Sequence, residues 1–256
     1  MRSCATLLLI ASANGARLSL HKAAERGDLP PLKVASEGYR DEYEDVWVKP
    51  DLNARNKKGE VALHLAICNR RFDIETVRLL LEKGADANAR DGKDRTPLHI
   101  VATLCGQPER FQRLAVPLAR LLLKHGASLA ESSTDEQRTP LHAAALSAHP
   151  KLVEYLLGRK GASVSALDST GATPLHHAAK ARSERVVLAL LTWGADPAAT
   201  DAEGKTARDA VAGTDSFSVR VRGSMDSAAT IHAEAVGART KAKAERVAAK
   251  ATKVEL

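Results

Sequence analysis

Two adjacent histidines lie in the segment TPLHHAAK, residues 173–180, between mostly aliphatic neighbours. Imidazole rings serve as metal ligands and as general acid–base groups, so the pair His176 and His177 first suggests chemistry. Consecutive residues of a helix do not face each other, however, and two such rings cannot easily bind one ion. The rest of the chain decides what this pair does.

Four histidines recur at the fourth position of one repeated tetrapeptide: His64, His99, His142 and His176. If the repeats stack, these rings lie about 10 Å apart, the usual spacing of packed helices. The nitrogens that bind one metal ion must converge to about 2 Å from it. The four rings therefore cannot share an ion, and we predict no metal site.

Motifs of catalysis and of cofactor binding are missing from the sequence, which has no GxxxxGK[ST], GxGxxG, GxSxG or HExxH. The three cysteines, Cys4, Cys68 and Cys105, are odd in number and widely spaced. Such spacing indicates thiols rather than a disulfide framework. We predict a protein that is not an enzyme, with no catalytic residue, no cofactor-binding residue and no cofactor.

The tetrapeptide TPLH occurs at 96–99, 139–142 and 173–176, with degenerate copies VALH at 61–64 and LSLH at 18–21. TARDA at 206–210 opens a sixth unit, and successive starts lie 33 to 43 residues apart. A second, leucine-rich landmark keeps the same phase at 79–91, 121–133, 156–168 and 190–201. Two motifs in constant order at such a period are typical of a repeat protein.

These motifs resemble the ankyrin repeat family, whose unit has about 33 residues and a T-P-L-H-x-A core. The resemblance covers roughly residues 18–212 and implies an all-α helical solenoid: helix-turn-helix units joined by β-hairpin-like turns, then a non-repeat basic tail. It also implies that the histidines tie neighbouring turns by ring hydrogen bonds. The expected divisions are an N-terminal segment (1–17), an irregular capping unit with an insertion (18–60), repeats at 61–95, 96–138 (with an insertion), 139–172 and 173–205, a partial cap (206–213) and an Ala/Lys/Arg-rich tail, partly disordered or helical (214–256).

One unit shows why each residue type suits its place. Thr173 can cap the first helix and Pro174 suits its first position. The small apolar face of that helix consists of Leu175, Ala178 and Ala179. A second helix is expected over 184–193, and Gly194 ends it because glycine adopts positive φ at little cost.

Several segments depart from the pattern. Insertions fall at 38–53 and 105–114, and we expect them to be loops. In the first, Tyr39, Tyr43 and Trp47 are spaced for one helical stripe, which either anchors a partner or caps the stack. The turn before residue 139 lacks glycine and the turn before residue 96 has Asp94 in its place, so both tips are expected to be distorted.

By position, the resemblance implies a protein partner on the concave face, where turn tips meet the inner helices. Lys and Arg exceed acids at the tips, so we expect a partner whose apolar segment is flanked by acids. His177, beside Lys180, is the histidine expected to touch it. The predicted contact residues are Lys57, Lys58, Glu60, Lys93, Arg95, Thr103, Leu104, Arg138, Leu146, Ser147, His177, Lys180, Glu203 and Lys205. The hypothesis is a monomeric, cytoplasmic, non-enzymatic interaction scaffold.

Two alternatives stay open. The net charge is +7, and residues 216–256 carry eight Lys/Arg against four Asp/Glu, so the tail could bind nucleic acid or acidic partners. Without interleaved aromatics, nucleic acid is disfavoured. The N-terminal MRSCATLLLIASA and the final KVEL resemble a secretory signal and an ER-retention ending, which favour a secreted or ER-luminal protein. No apolar run is long enough for a transmembrane helix.

Overall fold

The computed structural model describes residues 24–26, 39–40, 47–48, 51–68, 74–103, 109–133, 136–211 and 215–230. Residues 24–26 and 216–230 are helical. Between them lie two short strands and eight further helices within those ranges: β1 (Tyr39–Arg40), β2 (Trp47–Val48), α1 (Ala62–Ile67), α2 (Ile74–Glu82), α3 (Pro97–Thr103), α4 (Glu109–Lys124), α5 (Pro140–Leu146), α6 (Pro150–Leu157), α7 (Pro174–Lys180) and α8 (Glu184–Thr192).

The helices form two layers. The odd-numbered helices α1, α3, α5 and α7 contact one another in order and make the inner layer. The even-numbered helices α2, α4, α6 and α8 make the outer layer, and each packs against the inner helix before it. One unit alone leaves its apolar faces exposed, whereas stacked units share a continuous core. The predicted all-α solenoid is confirmed.

Small side chains let the inner helices pack closely. In α7, Leu175, Ala178 and Ala179 are fully buried, as their spacing predicts. Pro174 begins the helix, where a missing N–H loses no hydrogen bond. The outer helix α8 ends at Thr192, and Gly194 follows with φ 84°. The helix and its stop therefore lie where the sequence predicts them.

The turn tip before α3 is regular although Asp94 stands where glycine is expected. Asp94 has φ 58°, against 72° for Gly171 at the equivalent position. Its N–H donates to the carbonyl of Asp91 at 2.9 Å, as that of Gly171 does to Asp168. Gln137 has φ 49° in the tip before α5. The predicted distortion is wrong for Asp94, because short polar side chains tolerate the left-handed conformation.

The aromatic residues of the first insertion do not form one helical stripe. Tyr39 pairs with Val48, and Arg40 with Trp47, in an antiparallel ladder of β1 and β2. Aromatic and β-branched residues favour strands, and here that preference overrides the helical spacing. Tyr43 lies outside the described residues, so the predicted anchor is not tested there.

The second insertion lengthens a helix. The helix α4 begins at Glu109 and has 16 residues, against 9 in α2 and 8 in α6. Only the first part of the 105–114 insertion can therefore be a loop, which corrects the prediction. Residues with high helix propensity extend the outer helix at its N-terminal end instead.

The segment after the last repeat is also helical, although its sequence looks turn-like. Ser218, Val221 and Met225 are buried and share one face of helix 216–230, at spacings of three and four residues. The guanidinium of Arg220 pairs with Glu184 of α8 at 2.9 Å. This helix caps the stack, so part of the predicted tail belongs to the core. The tail beyond residue 230 lies outside the described residues.

Candidate functional site

The repeated histidines form a ladder of ring hydrogen bonds along the inner helices. Each Nδ1 accepts the N–H of the residue three positions earlier, at 3.1 to 3.3 Å. Each Nε2 faces a carbonyl oxygen of a following turn. Those carbonyls and their distances from Nε2 are Arg95 for His64 (3.2 Å), Arg138 for His99 (2.7 Å), Ala166 and Ala172 for His142 (3.1 and 3.2 Å) and Lys205 for His176 (3.1 Å).

This ladder explains both the residue type and its position. A neutral imidazole with the proton on Nε2 donates from one side and accepts on the other. Burial lowers the pKa of His64 and of His99. Burial and the nearby His177 ring lower the pKa of His142 to about 4. The rings of His64, His99 and His142 therefore stay neutral near pH 7. All four rings join neighbouring turns, which confirms their predicted structural role.

The ladder also alters the expected cap. The hydroxyl of Thr173 lies 2.9 Å from Nδ1 of His176, and the Thr173 N–H donates to the same nitrogen. Thr96 and Thr139 repeat this arrangement with their histidines. The ring thus accepts the N–H of the capping residue Thr173, and the threonine side chain accepts the backbone N–H of His176, so the cap is a reciprocal box rather than the threonine hydroxyl alone. Among the described residues, no group of three His, Cys, Asp or Glu side chains has an arrangement suited to a metal ion.

His177 is buried and is not the contact residue that the sequence predicts. Only 6% of the residue is exposed, and its Nε2 lies 2.7 Å from Oδ2 of Asp168. Its ring meets that of His142 edge to face, with the ring centroids 5.6 Å apart. Its counterparts Ile100 and Ala143 are buried as well. Burial lowers the pKa of His177, although the hydrogen bond to Asp168 opposes this shift.

Asp168 contacts three consecutive elements of the stack, namely the preceding turn, its own turn and the next inner helix. It is not among the residues predicted from the sequence. Its Oδ1 accepts the N–H groups of Thr170 and Ala172 and so builds its own turn, at 2.9 and 3.0 Å. Its Oδ2 faces His177 and lies 3.6 Å from Nε of Arg138 in the preceding turn. Burial alone would raise the pKa of this carboxyl, but hydrogen bonds from Thr170, His177 and the backbone hold it well below its usual range. The recurrence of Asp at this turn position is the signal that could have found it.

The predicted contact residues other than His177 belong to the turn tips and to the ends of the inner helices. Leu104 lies outside the described residues. Leu146 is 38% exposed at the end of α5. Eight residues of the set are exposed: Lys57, Lys58, Lys93, Thr103, Leu146, Lys180, Glu203 and Lys205; four are half-buried: Glu60, Arg95, Arg138 and Ser147.

Some charged side chains on the predicted contact face form ion pairs within the described part of the chain, and others do not. Glu136 pairs with Arg138 at 2.6 Å, and Glu203 with Lys205 at 2.7 Å. Arg95 pairs with Asp91 at 2.7 Å. In contrast, four exposed cations make no ion pair with another described residue: Lys57, Lys58, Lys93 and Lys180. The face therefore offers unpaired positive charge, most of it in the N-terminal half of the array.

Comparisons with known proteins agree with this architecture. A family model described as ankyrin repeats, in three copies, matches residues 20–117, 93–168 and 115–201. The chain is 32% identical to neurogenic locus notch homolog protein 1 of Mus musculus over 191 residues, which are 75% of this chain and 7% of that protein. It is 32% identical to neurogenic locus notch homolog protein 2 of Homo sapiens over 181 residues, 66% of this chain and 7% of that protein. Tyrosine-protein kinase HTK16 of Hydra vulgaris matches 44% of this chain at 35% identity, over 14% of its own length.

A helical stack with a histidine ladder and hydrogen-bonded turns is the architecture of a repeat protein. The chain belongs to the ankyrin repeat family, since the matched ranges span most of it. Ankyrin repeats mediate protein–protein interaction and are typically not enzymes. The chain spans about 7% of the length of its notch relatives, so the similarity concerns a small part of them. Within the described ranges, none of the helices combines the length and apolar character that a membrane crossing requires.

Proposed function

We propose that this protein is a non-enzymatic scaffold that binds a protein partner on the face formed by its turn tips and inner helices. This proposal is supported by a contrast on that face, where acidic side chains have partners within the chain and several lysines form no ion pair with a described residue. The tip acids Glu136 and Glu203 pair with arginine or lysine of the same tip, and Glu60 accepts a hydrogen bond from Asn56. Lys93 and Lys180 have no such partner among the described side chains and attract acids of another protein.

An exposed apolar side chain lies among these charged residues. Leu146 exposes 38% of its surface at the last position of α5. Interfaces derive most of their affinity from a few central apolar or aromatic contacts, while rim charges steer association and set specificity. The partner that fits has an apolar segment flanked by acidic residues.

The test uses a partner captured with the full chain, identified by mass spectrometry and then purified. Its dissociation constant is measured by calorimetry for the native chain, for Leu146→Arg and for Lys180→Glu. Removing a central contact costs more than about 1 kcal/mol, so we expect Leu146→Arg to weaken binding about tenfold or more. Lys180→Glu should weaken binding less, and mainly at low salt.

Val219→Arg supplies the matched control, because Val219 is an exposed aliphatic residue of helix 216–230 and is not among the predicted contact residues. Binding to this variant should equal that of the native chain. A partner that is indifferent to both Leu146→Arg and Lys180→Glu would contradict recognition by the inner face.

We further propose that the scaffold works in the cytoplasm. Its support is Cys68, an exposed thiol without a disulfide, which suits a reducing compartment. N-terminal sequencing of the protein from its native cells tests this location. We expect Met1 or a modified Arg2, whereas cleavage after Ala13 would point to the secretory pathway.

A further inference from the structure

A groove lies on the opposite side of the molecule, between the outer helices α6 and α8. It has a volume of about 380 Å³ and is lined by Glu154, Arg185, Leu188, Ala189, Thr192 and Trp193. Trp193 is 51% exposed and Leu188 is 41% exposed. A large exposed tryptophan is unusual on a free surface and is frequent at the centre of interfaces. We call this feature the outer groove.

Comparison of the repeats with one another shows how the outer groove arises. Each outer helix has a fully buried leucine at the same position of the repeat, namely Leu80, Leu122, Leu156 or Leu190. Three residues further on, the chain has Lys83, His125, Arg159 and Trp193 respectively. Trp193 thus replaces a basic side chain. Two residues after the buried leucine, the chain has Glu82, Lys124, Gly158 and Thr192. Gly158 thus replaces a side chain that could cover the tryptophan.

No backbone requirement explains this glycine. Gly158 has φ −73°, which any residue adopts. A Cβ at this position would lie 3.7 Å from the nearest backbone oxygens and 4.0 Å from Cη2 of Trp193, which are ordinary contacts. A longer side chain here could extend over the indole. The glycine therefore leaves the tryptophan uncovered, and its physical consequence is an open groove.

Positive charge surrounds the outer groove. Next to Gly158, the guanidinium of Arg159 lies over the ring of Tyr155, with Cζ 4.5 Å from the ring centroid. Arg120 of α4 approaches the same ring at 5.8 Å. Stacking on the ring orders these guanidinium groups while their N–H donors stay available for carboxylates. Neither they nor Arg185 pair with a carboxylate of any residue described for this chain.

We propose that the outer groove binds an acidic protein segment that inserts a large apolar side chain beside Trp193. The apolar floor of Leu188, Ala189 and Trp193 accepts that side chain, and the arginines around it pair with flanking carboxylates. Charge complementarity selects this occupant. The chain's own basic tail is repelled by the same arginines. A nucleic-acid strand is disfavoured because Trp193 is the one aromatic residue among those that line the groove, whereas single strands bind along several aromatic side chains on which successive bases stack.

The experiment measures fluorescence anisotropy with a labelled probe peptide, Glu-Asp-Leu-Phe-Asp-Glu, titrated with the full chain at low salt. The first variant is Gly158→Gln, which covers the indole at a position where neither strain nor a clash is expected. We expect it to weaken probe binding about tenfold, as the loss of one aromatic contact does. Trp193→Ala and Arg159→Glu should weaken binding to a similar degree. Thermal unfolding confirms that each variant is folded.

Gly158→Ala is the matched control, since a single methyl group leaves most of the groove open, and its binding should stay within about threefold of the native value. Leu146→Arg, on the inner face, should leave probe binding unchanged. That result also separates this proposal from the proposed function, which Leu146→Arg impairs.

Four outcomes would overturn the proposal. They are absence of saturable binding, binding as tight as that of the native chain by Gly158→Gln or Trp193→Ala, loss of binding with Leu146→Arg, and competition by oligo(dT) at equal or lower concentration than by unlabelled peptide. The last outcome would make the outer groove a nucleic-acid site. A peptide with lysines in place of its acids should not bind.

Discussion

Asp91 and Asp168 occupy equivalent positions in two turns, yet their carboxylates have different partners. In both, Oδ1 accepts two backbone N–H groups of its own turn. In Asp91, Oδ2 pairs with Arg95, four residues later in the same turn. In Asp168, Oδ2 meets His177 of the next inner helix and approaches Arg138 of the preceding turn.

The difference separates two tasks of one residue type. The first oxygen shapes the turn in every case, which is a local requirement. The second oxygen is free to act locally or between repeats, and only in Asp168 does it join units. Asp201, in the last turn, uses Oδ1 for the N–H groups of Glu203 and Lys205 and is more exposed. The stability of the array should therefore depend unequally on these three aspartates.

Replacing the three aspartates with alanine gives the largest expected effect. Asp168→Ala leaves His177 without its buried hydrogen-bond partner, in addition to the turn N–H groups that Asp91→Ala also leaves unpaired, and should cost about 3 kcal/mol of unfolding free energy. Asp91→Ala should cost about 2 kcal/mol, and Asp201→Ala about 1 kcal/mol. Urea unfolding followed by circular dichroism measures the order.

Asp168→Asn is the control, because its amide oxygen can still accept the turn N–H groups. It should lose less stability than Asp168→Ala. Equal losses for Asp91→Ala and Asp168→Ala would show that the link between repeats contributes nothing beyond the turn.

The second-largest expected effect is a loss of stability in acid, arising where Asp168, His177 and His142 are in contact. The folded-state pKa of His142 is about 4, below the ordinary value of 6.5, so the unfolded chain binds more protons between these values. Stability is therefore fully present above pH 6.5 and falls as the pH drops towards 4. The loss from this one group is on the order of 3 kcal/mol.

The groups that face His142 include His177 and Asp168, and they act in the same direction. The lowered pKa of His177 adds to the loss in acid, and the lowered pKa of Asp168 extends it to still lower pH. Melting temperatures of the native chain and of His142→Gln from pH 7.5 to 4 test this slope. An equal slope in both proteins would remove His142 as its source.

The smallest effects concern the fourth position of the same turns. Gly171→Asp forces a side chain into positive φ and towards the backbone N of Ala202, only 2.8 Å from the new Cβ, and should cost about 2 kcal/mol. Asp94→Gly removes mild strain but also the ion pair with Arg90, so its net change should stay within about 1 kcal/mol. Thermal unfolding compares both variants with the native chain, and a loss for Asp94→Gly as large as that for Gly171→Asp would contradict this expectation.

The inner helices and the histidine ladder were predictable because each repeat states the same pattern again. A threonine, a proline, a leucine and a histidine within four residues define a helix start by local contacts. The failures share another cause. The spacing of Tyr39 and Trp47 fits a helix, but the pairing of β1 with β2 decides otherwise. The sequence predicted a half-buried place for His177, and the recurrence of aspartate in the turns did not show that the Asp168 side chain points towards this histidine.

By itself, the sequence determined the repeat, the short inner helices, the recurring histidines and the glycines after the outer helices. These features rest on contacts within a few residues and on a motif stated several times. Tertiary structure alone decided which oxygen of Asp168 meets His177, that His177 is hidden, and that Trp193 stands uncovered beside Gly158. Those relations join residues 9 to 35 positions apart, and the offset between stacked repeats sets their distances.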